Sequence, residues 1–268
     1  MGIAPVLIAA VLHAADAELS RLSPVEVKDR AETAFAEGSR HRDDPDVARP
    51  YFRKAAACFD ELRQRGAANA QLYRNLGNSY LLGGDLPQAV LSYRRGLRFA
   101  PGDRDLNAGL EAARGLVRYP PGSQLGQPGP AGQASWLARR EGDWLIAGAA
   151  LLYVGACVAL TRWLMTRRRL LLAGSLAALS AAALLTFVAV SEAAGKASGP
   201  LVVIAEDGVL VRKGDGLSFP PRYQSPVNRG VEGRLLTERG KWLQIELSGG
   251  EVGWVMREYA LVDREPGP

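Results

Sequence analysis

The chain has 268 residues, with 33 Lys plus Arg, 28 Asp plus Glu, two His and two Cys. This length suggests about two ordinary domains, and the composition is that of a folded chain rather than a disordered or disulfide-built one. Two histidines argue against a histidine metal cage. The net charge of +5 is concentrated in Arg162, Arg167, Arg168 and Arg169. A nucleic-acid-binding face needs basic residues spread over a folded surface, so we expect no nucleic-acid partner.

The first 17 residues have the pattern of an export signal. They read MGIAPVLIAAVLHAADA and begin with an uncharged run of 15 residues, which is short for a membrane span. Ala15, Asp16 and Ala17 form the small-x-small pattern of a cleavage site. We therefore predict a signal peptide over residues 1–17 and an exported chain after it.

Residues 70–101 carry the spacing of a two-helix repeat. Glycines 83 and 84 separate two helical periodicities, and Asp85 is a natural N-cap for the second. The order of an aromatic, x₂-Leu-Gly-x₂-Tyr, Ala-x₃-aromatic and a closing Pro resembles a tetratricopeptide repeat. The matching positions are Tyr73, Leu76, Gly77, Tyr80, Gly84, Ala89, Tyr93, Gly96 and Pro101.

Neighbouring helices are expected, because one such repeat cannot bury its own apolar faces. Upstream, residues 31–38 and then Ala55 with Phe59 repeat the theme, separated by the charged insertion SRHRDDPDVARP. Downstream, residues 103–117 form one amphipathic helix that serves as a cap. We predict an all-α domain over residues 18–118, with about two repeats and a capping helix.

The first helix of the repeat presents a candidate partner-binding face. Arg74 and Asn78 are four residues apart and share that face, with Asn75 beside them. The tetratricopeptide resemblance implies a peptide groove there, in which Arg and Asn bind carboxylates and peptide backbone. A plain solvated helix face explains the same residues equally well.

Two apolar segments follow a Gly- and Pro-rich linker and juxtamembrane segment, residues 119–143. Segment 144–165 opens with 18 uncharged residues, and segment 170–191 carries no charge. As helices the two uncharged runs reach roughly 27 and 33 Å, enough to cross a hydrocarbon core of about 30 Å. Neither has a polar stripe, and the flanking domains are too small to bury them. We predict a two-helix transmembrane hairpin.

The arginines set the orientation of this hairpin. Arg162 and the loop 166–169, with Arg167, Arg168 and Arg169, should face the cytoplasm. Both termini then lie on the periplasmic or outer face of a bacterial inner membrane, in agreement with the export signal.

Residues 201–264, after a short linker at 192–200, change to short apolar runs separated by Asp207-Gly208 and Gly249-Gly250 turns. About five strands in this length favour a small closed all-β barrel. The segment resembles bacterial SH3-like domains. The residues that carry the resemblance are Val209-x-Val211-Arg212-x-Gly214, Gly230-x₅-Leu236, Trp242-x₂-Ile245 and Gly253-Trp254-Val255.

That resemblance implies a candidate ligand site, since some SH3-like domains bind cell-wall peptides through exposed aromatic residues. Here the candidates are Tyr223, Trp242 and Tyr259. A core role is the alternative for Trp242 and for Trp254, because aromatic burial dominates small barrels.

Catalytic signatures do not stand out. The sequence contains no phosphate-binding glycine loop, nucleophile elbow or C-x-x-C pair. We therefore expect no enzyme, no catalytic residues, no metal and no cofactor. Cys58 is expected to be a buried thiol.

The order of these parts resembles the E-type protein of bacterial Bat aerotolerance operons. The resemblance implies a non-catalytic scaffold or assembly protein of the inner membrane, linked to stress or aerotolerance. Its implied partners are von Willebrand A-type membrane proteins and an associated MoxR-type ATPase, besides the lipid bilayer. The alternative is a cell-wall-binding anchor, whose SH3-like domain binds peptidoglycan while the repeats recruit a partner.

Overall fold

The computed structural model describes residues 19–120, 125–127, 131–196 and 199–265, with the side chains of 131–146, 189 and 191–196 left out. The signal peptide predicted over residues 1–17 lies outside the described residues. The chain divides into two compact units, one made of residues 1–127 with 200–268 and one of residues 128–199.

Seven helices and five strands make up the described chain. The helices are α1 (Pro24–Arg40), α2 (Pro45–Gln64), α3 (Ala70–Gly83), α4 (Leu86–Phe99), α5 (Arg104–Gly115), α6 (Ala131–Thr166) and α7 (Arg169–Lys196). The strands are β1 (Leu201–Ile204), β2 (Glu232–Arg239), β3 (Trp242–Leu247), β4 (Val252–Met256) and β5 (Ala260–Val262).

Helices α1 to α5 stack in chain order, each packed against the next, and α3 also contacts α5. A polar side chain caps the start of each helix and accepts backbone N–H groups that the helix itself leaves unpaired. The predicted cap is confirmed: the Asp85 carboxylate accepts the N–H of Gln88, at 3.3 Å. The other caps are Ser23, Asp44, Asn69 and Asp103.

Tyr93 of α4 is the best-buried large side chain of this stack, with no exposed surface. Its ring lies where a Cβ on Gly77 or Gly109 would stand, 2.5 Å from Cε1 in each case. Glycine is therefore required on both neighbouring helices, because any larger side chain would displace the ring.

The first helix pair repeats this arrangement with different residues from those the sequence suggested. A Cβ on Gly38 would lie 2.9 Å from the Phe52 ring, so Phe52 occupies the place that Tyr93 has in the second pair. The expected counterparts, Ala55 and Phe59, are buried one turn or more further along α2. Much of the charged insertion is helical, since α2 begins at Pro45 behind the Asp44 cap.

Helices α6 and α7 pack against each other as a hairpin. Residues Ala147–Thr166 and Arg169–Val188 are long and apolar enough to cross a membrane, with mean hydropathy 1.5 and 2.1. The turn lies at Arg167, whose φ is 55°, and its guanidinium stands 5.5 Å from the centroid of the Trp163 ring. The observed turn therefore falls within the loop predicted at 166–169.

The strands form one antiparallel sheet in the order β4-β3-β2-β1-β5. A register shift in β2 between Leu235 and Thr237 bends the sheet. A 3₁₀ turn, Arg257–Tyr259, connects β4 to β5. Arg212 and Trp254 exchange two backbone hydrogen bonds, at 2.8 and 2.9 Å, which tie the long connection after β1 to β4.

The helical stack and the β domain share one hydrophobic core. Gly230, with a φ of 88°, packs so closely that a Cβ would lie 2.8 Å from Val117 and 3.1 Å from Leu86. Leu125, from the segment predicted to be a linker, is buried in this core. Residues 19–120 and the β domain are therefore not two separately folded domains joined by a linker.

Candidate functional site

Buried ion pairs hold the helical stack to the β domain, and we call this set of contacts the seam. Glu232, at the start of β2, has a side chain only 3% exposed. Arg114 of α5 donates to its two carboxylate oxygens at 2.6 and 3.1 Å, and Arg94 of α4 lies 3.2 Å away. A buried carboxylate needs such partners, because isolated burial of its charge is very costly.

The chain after β5 crosses the helical stack and forms the second part of the seam. Asp263, 4% exposed, pairs with Arg95 and Arg98 of α4, both at 3.0 Å. Glu265 pairs with Arg95 at 3.1 Å and with Arg63 of α2, and it accepts a hydrogen bond from the Tyr73 hydroxyl at 2.6 Å. Residues 263–265 thus connect three helices.

The pKa values of two groups of the seam, Glu265 and Tyr73, are shifted in opposite directions. Burial alone would raise the pKa of Glu265, but the Tyr73 hydrogen bond and the nearby Arg95 and Arg63 outweigh it and leave that pKa lowered. Burial, followed by the hydrogen bond to Glu265, raises the pKa of Tyr73 to about 12. The contact therefore joins an ionised carboxylate to a neutral phenol at neutral pH.

The three residues predicted to line a helical groove differ in their surroundings. The Arg74 guanidinium donates to Asp105 of α5 at 2.7 Å. The Asn78 carboxamide oxygen accepts the Tyr93 hydroxyl at 2.7 Å, so it satisfies a buried phenol. Asn75 is half-buried beside them. Sequence spacing placed the three on one helix but gave no sign of the partner of Asn78.

Two of the three aromatic candidates in the β domain share a cleft. Trp242 and Tyr259 line a cavity of about 270 Å³, together with Met256, and the acidic side chains of Glu206 and Asp207 stand at its edge. Tyr223 lies elsewhere: its hydroxyl donates to the Val252 carbonyl at 3.2 Å. Trp254 is buried at 8% exposure, with Arg239 stacked 5.6 Å from the centroid of its ring.

One side of this cleft is held by Arg212. Its guanidinium donates to the carbonyls of Leu217 and Phe219, at 3.2 and 2.8 Å, and so fixes the loop that brings Leu217 to the cavity. Glu258 hydrogen-bonds the Tyr259 hydroxyl and raises the pKa of that phenol. Aromatic faces beside carboxylates suit an ammonium group carried on an apolar stem.

Sequence reasoning missed the seam completely. The only signal in the sequence was local, since Arg94, Arg95 and Arg98 lie within five residues of each other on α4. That is more positive charge than a solvated helix end requires. Their acidic partners are separated from them by more than 100 residues, as Arg95 and Asp263 illustrate with a separation of 168.

The remaining singled-out residues are simple to place. Cys58 is a free buried thiol at 1% exposure, as expected, and burial raises its pKa. Arg162, Arg167 and Arg168 lie at the end of α6 and in the turn, and Arg169 begins α7. Within the described ranges, no three His, Cys, Asp or Glu side chains group closely enough to hold a metal ion.

Comparison with known proteins gives a partial likeness. No protein-family profile matches the chain. A stretch of 71 residues, 26% of this chain, is 42% identical to a Bacillus subtilis (strain 168) protein named "Putative N-acetylmuramoyl-L-alanine amidase YrvJ". The match spans 12% of the length of that protein, so this chain is similar to only a small part of it.

Proposed function

We propose that this protein is a non-catalytic scaffold of a bacterial inner membrane, which presents one interaction module outside the cytoplasm. The observation that carries the proposal is the seam, because it joins residues 19–120 to residues 200–265 as a single body. The helical part has the spacing of tetratricopeptide repeats. The β part has the strand order, bent second strand and 3₁₀ turn that favour an SH3-like barrel.

The seam also supports the predicted topology. Two chain segments that share a core have to lie on the same side of a membrane, and the apolar hairpin lies between them in sequence. An even number of crossings satisfies this requirement, and the arginine-rich turn favours the cytoplasm for the connecting loop.

A cysteine-accessibility experiment tests this arrangement in cells. Ser39→Cys places a thiol at an exposed position of α1, and Arg168→Cys places one in the turn. We expect a membrane-impermeant maleimide to label Ser39→Cys in cells with a permeabilised outer membrane, and to label Arg168→Cys only after lysis. Unsubstituted protein gives the background from Cys58 and Cys157. The reversed pattern contradicts the proposal.

The partners we propose are von Willebrand A-type membrane proteins, as the Bat resemblance implies. Arg74 and Asn75 are the residues to test, because Asn78 also supports Tyr93 and its removal would confuse binding with folding. We expect Arg74→Ala with Asn75→Ala to reduce recovery of such a partner in a pull-down of the full chain. The pair Lys28→Ala and Glu32→Ala removes an exposed ion pair of α1 and serves as the control.

A second candidate function is a cell-wall-binding membrane anchor. Two observations favour it: the likeness to a protein named for a cell-wall amidase, and the cleft with Trp242, Tyr259 and an acidic edge. The 71 matched residues are close in number to the predicted β segment, 201–264. Peptidoglycan stem peptides carry diamino acids, whose ammonium groups fit an acidic aromatic cleft.

Sedimentation with purified cell-wall sacculi tests this candidate on the full chain in detergent. We expect Trp242→Ala to abolish co-sedimentation and Tyr223→Phe, which changes only a hydroxyl outside the cleft, to preserve it. Unfolding curves of both variants show whether the fold is retained. Binding that survives Trp242→Ala contradicts the cleft as the wall site.

A further inference from the structure

A second cavity, of about 460 Å³, opens where the helical stack meets the β domain. Its floor is apolar and includes Ala48, Phe52, Leu82 and Leu86. Leu116, at the end of α5, borders it with 63% of its surface exposed. None of the three α3 groove residues lines this cavity, and Asp207 is the one residue that it shares with the aromatic cleft.

The rim of this cavity is strongly basic. Arg42 and Arg49 come from the start of the α2 region, Arg118 from the chain after α5, and Arg229 from the β domain. Among the described residues, Asp207 is the only acidic side chain of the lining, and it is 3.6 Å from Arg229. Arg49 also lies 3.7 Å from the carboxylate of Asp46, which is 94% exposed and outside the lining. The four guanidinium groups outnumber these two carboxylates, so the rim above the apolar floor keeps a net positive charge.

A network at the seam fixes part of this rim. The Asn228 amide donates to the Arg118 carbonyl at 2.7 Å, and its oxygen accepts the Gly208 N–H at 3.0 Å. The Arg229 N–H in turn donates to Asp207 at 3.1 Å. The helical and β sides of the rim are thereby held in a defined relation, and the site exists only while the two parts are docked.

We infer that this cavity binds an acidic peptide segment of a protein partner, with an aliphatic or aromatic side chain on the floor and carboxylates paired to the rim arginines. Charge complementarity carries the assignment, because guanidinium groups bind carboxylates in bidentate geometry. Arginines stand on both the helical and the β sides of the floor. That placement suits carboxylates flanking an apolar side chain better than a phospholipid, whose phosphate sits at one end of long acyl chains.

Fluorescence anisotropy on the full chain in nanodiscs of neutral lipid tests the inference. The probe is a fluorescein-labelled peptide of alternating Glu and Leu, and its counterpart has Gln for every Glu. We expect Arg42→Gln with Arg118→Gln to weaken binding of the Glu peptide by about fivefold or more. Arg104→Gln with Arg222→Gln removes equal charge from exposed positions outside the cavity and should change binding by less than about twofold.

A third variant tests the floor without changing charge. Leu116→Ser alters a side chain that is largely exposed, so the fold should survive, and we expect weaker binding of the Glu peptide at unchanged stability. Equal losses in the two arginine pairs, or equal binding of the Gln peptide, would overturn the site as a specific one. Displacement of the Glu peptide by short-chain phosphatidylglycerol, dependent on Arg42 and Arg118, would overturn the peptide assignment in favour of a lipid.

Discussion

The two compact units contrast in how they treat apolar side chains. In the helical–β unit, large apolar residues such as Tyr93, Leu106 and Ile245 are fully buried. In the hairpin, Leu151, Leu170 and Phe187 are exposed by 75%, 87% and 71%. A helix that is apolar all round lies either in the core of a large protein or in a membrane span. One unit therefore completes its core internally, whereas the helices of the other leave large apolar side chains exposed and are long and apolar enough to cross a membrane.

The largest expected effect comes from breaking the seam. Arg114→Leu leaves the buried Glu232 carboxylate with only the partly exposed Arg94 as a partner, and we expect a loss of about 3 kcal/mol in unfolding free energy. Denaturation of the full chain in mild detergent, followed by tryptophan fluorescence, measures it. Lys28→Leu, from a solvent-exposed ion pair, should change stability by less than about 1 kcal/mol. Equal losses of unfolding free energy in the two variants would contradict the idea that the seam stabilises the protein more than an exposed ion pair does.

A matched pair of glycines sharpens the contrast between the units. A Cβ at Gly77 meets the Tyr93 ring at 2.5 Å, whereas a Cβ at Gly155 in the hairpin meets nothing within 4 Å. We expect Gly77→Ala to cost about 1–3 kcal/mol through overpacking and Gly155→Ala to leave the protein at least as stable. Thermal unfolding of both variants in one detergent gives the comparison. A destabilised Gly155→Ala would mean that the hairpin is more closely packed than its exposure indicates.

The smallest effect is the pH dependence of the Glu265–Tyr73 contact. The pKa of Glu265 is lowered in the folded chain. Its contribution to the unfolding free energy is therefore present above the unfolded-state pKa of about 4.3 and is lost as pH falls through the folded-state pKa. The pKa of Tyr73 is raised to about 12. Its contribution is therefore complete below about 10 and is lost as pH rises toward 12.

Stability measured across pH in the Tyr73→Phe variant checks this dependence. We expect the variant to lose the share of the alkaline dependence that belongs to Tyr73, since phenylalanine has no proton to release. Tyr80, Tyr93 and Tyr119, whose pKa values are also raised by burial, should keep theirs. The variant should still lose stability as pH falls, as the wild type does, because Arg95 and Arg63 still lower the pKa of Glu265. The pH at which this loss occurs should shift, because the hydrogen bond from Tyr73 is gone. An unchanged alkaline limb would assign that limb to another tyrosine.

Much of the local structure was predictable because it depends on spacing within one segment. The Asp85 cap, the Gly77 position and the turn at 166–169 each depend on residues close in sequence. The residue that packs on Gly38 was not predictable, because Phe52 and Phe59 both lie on the buried face of α2 and only the crossing of α1 decides between them. The partner roles of Arg74, Asn75 and Asn78 stay predictions, as do the ligand roles of Tyr223, Trp242 and Tyr259.

By itself, the sequence determined the periodicities, and through them the helices, the short strands and the apolar hairpin, since each of these depends on contacts a few residues apart. Only the tertiary structure decided that the first and last folded parts form one body. The pairing of Arg114 with Glu232 spans 118 residues, and no local pattern encodes which distant carboxylate a guanidinium will meet. Burial creates that pairing, because a charge taken out of water is stable only when an opposite charge is already in place.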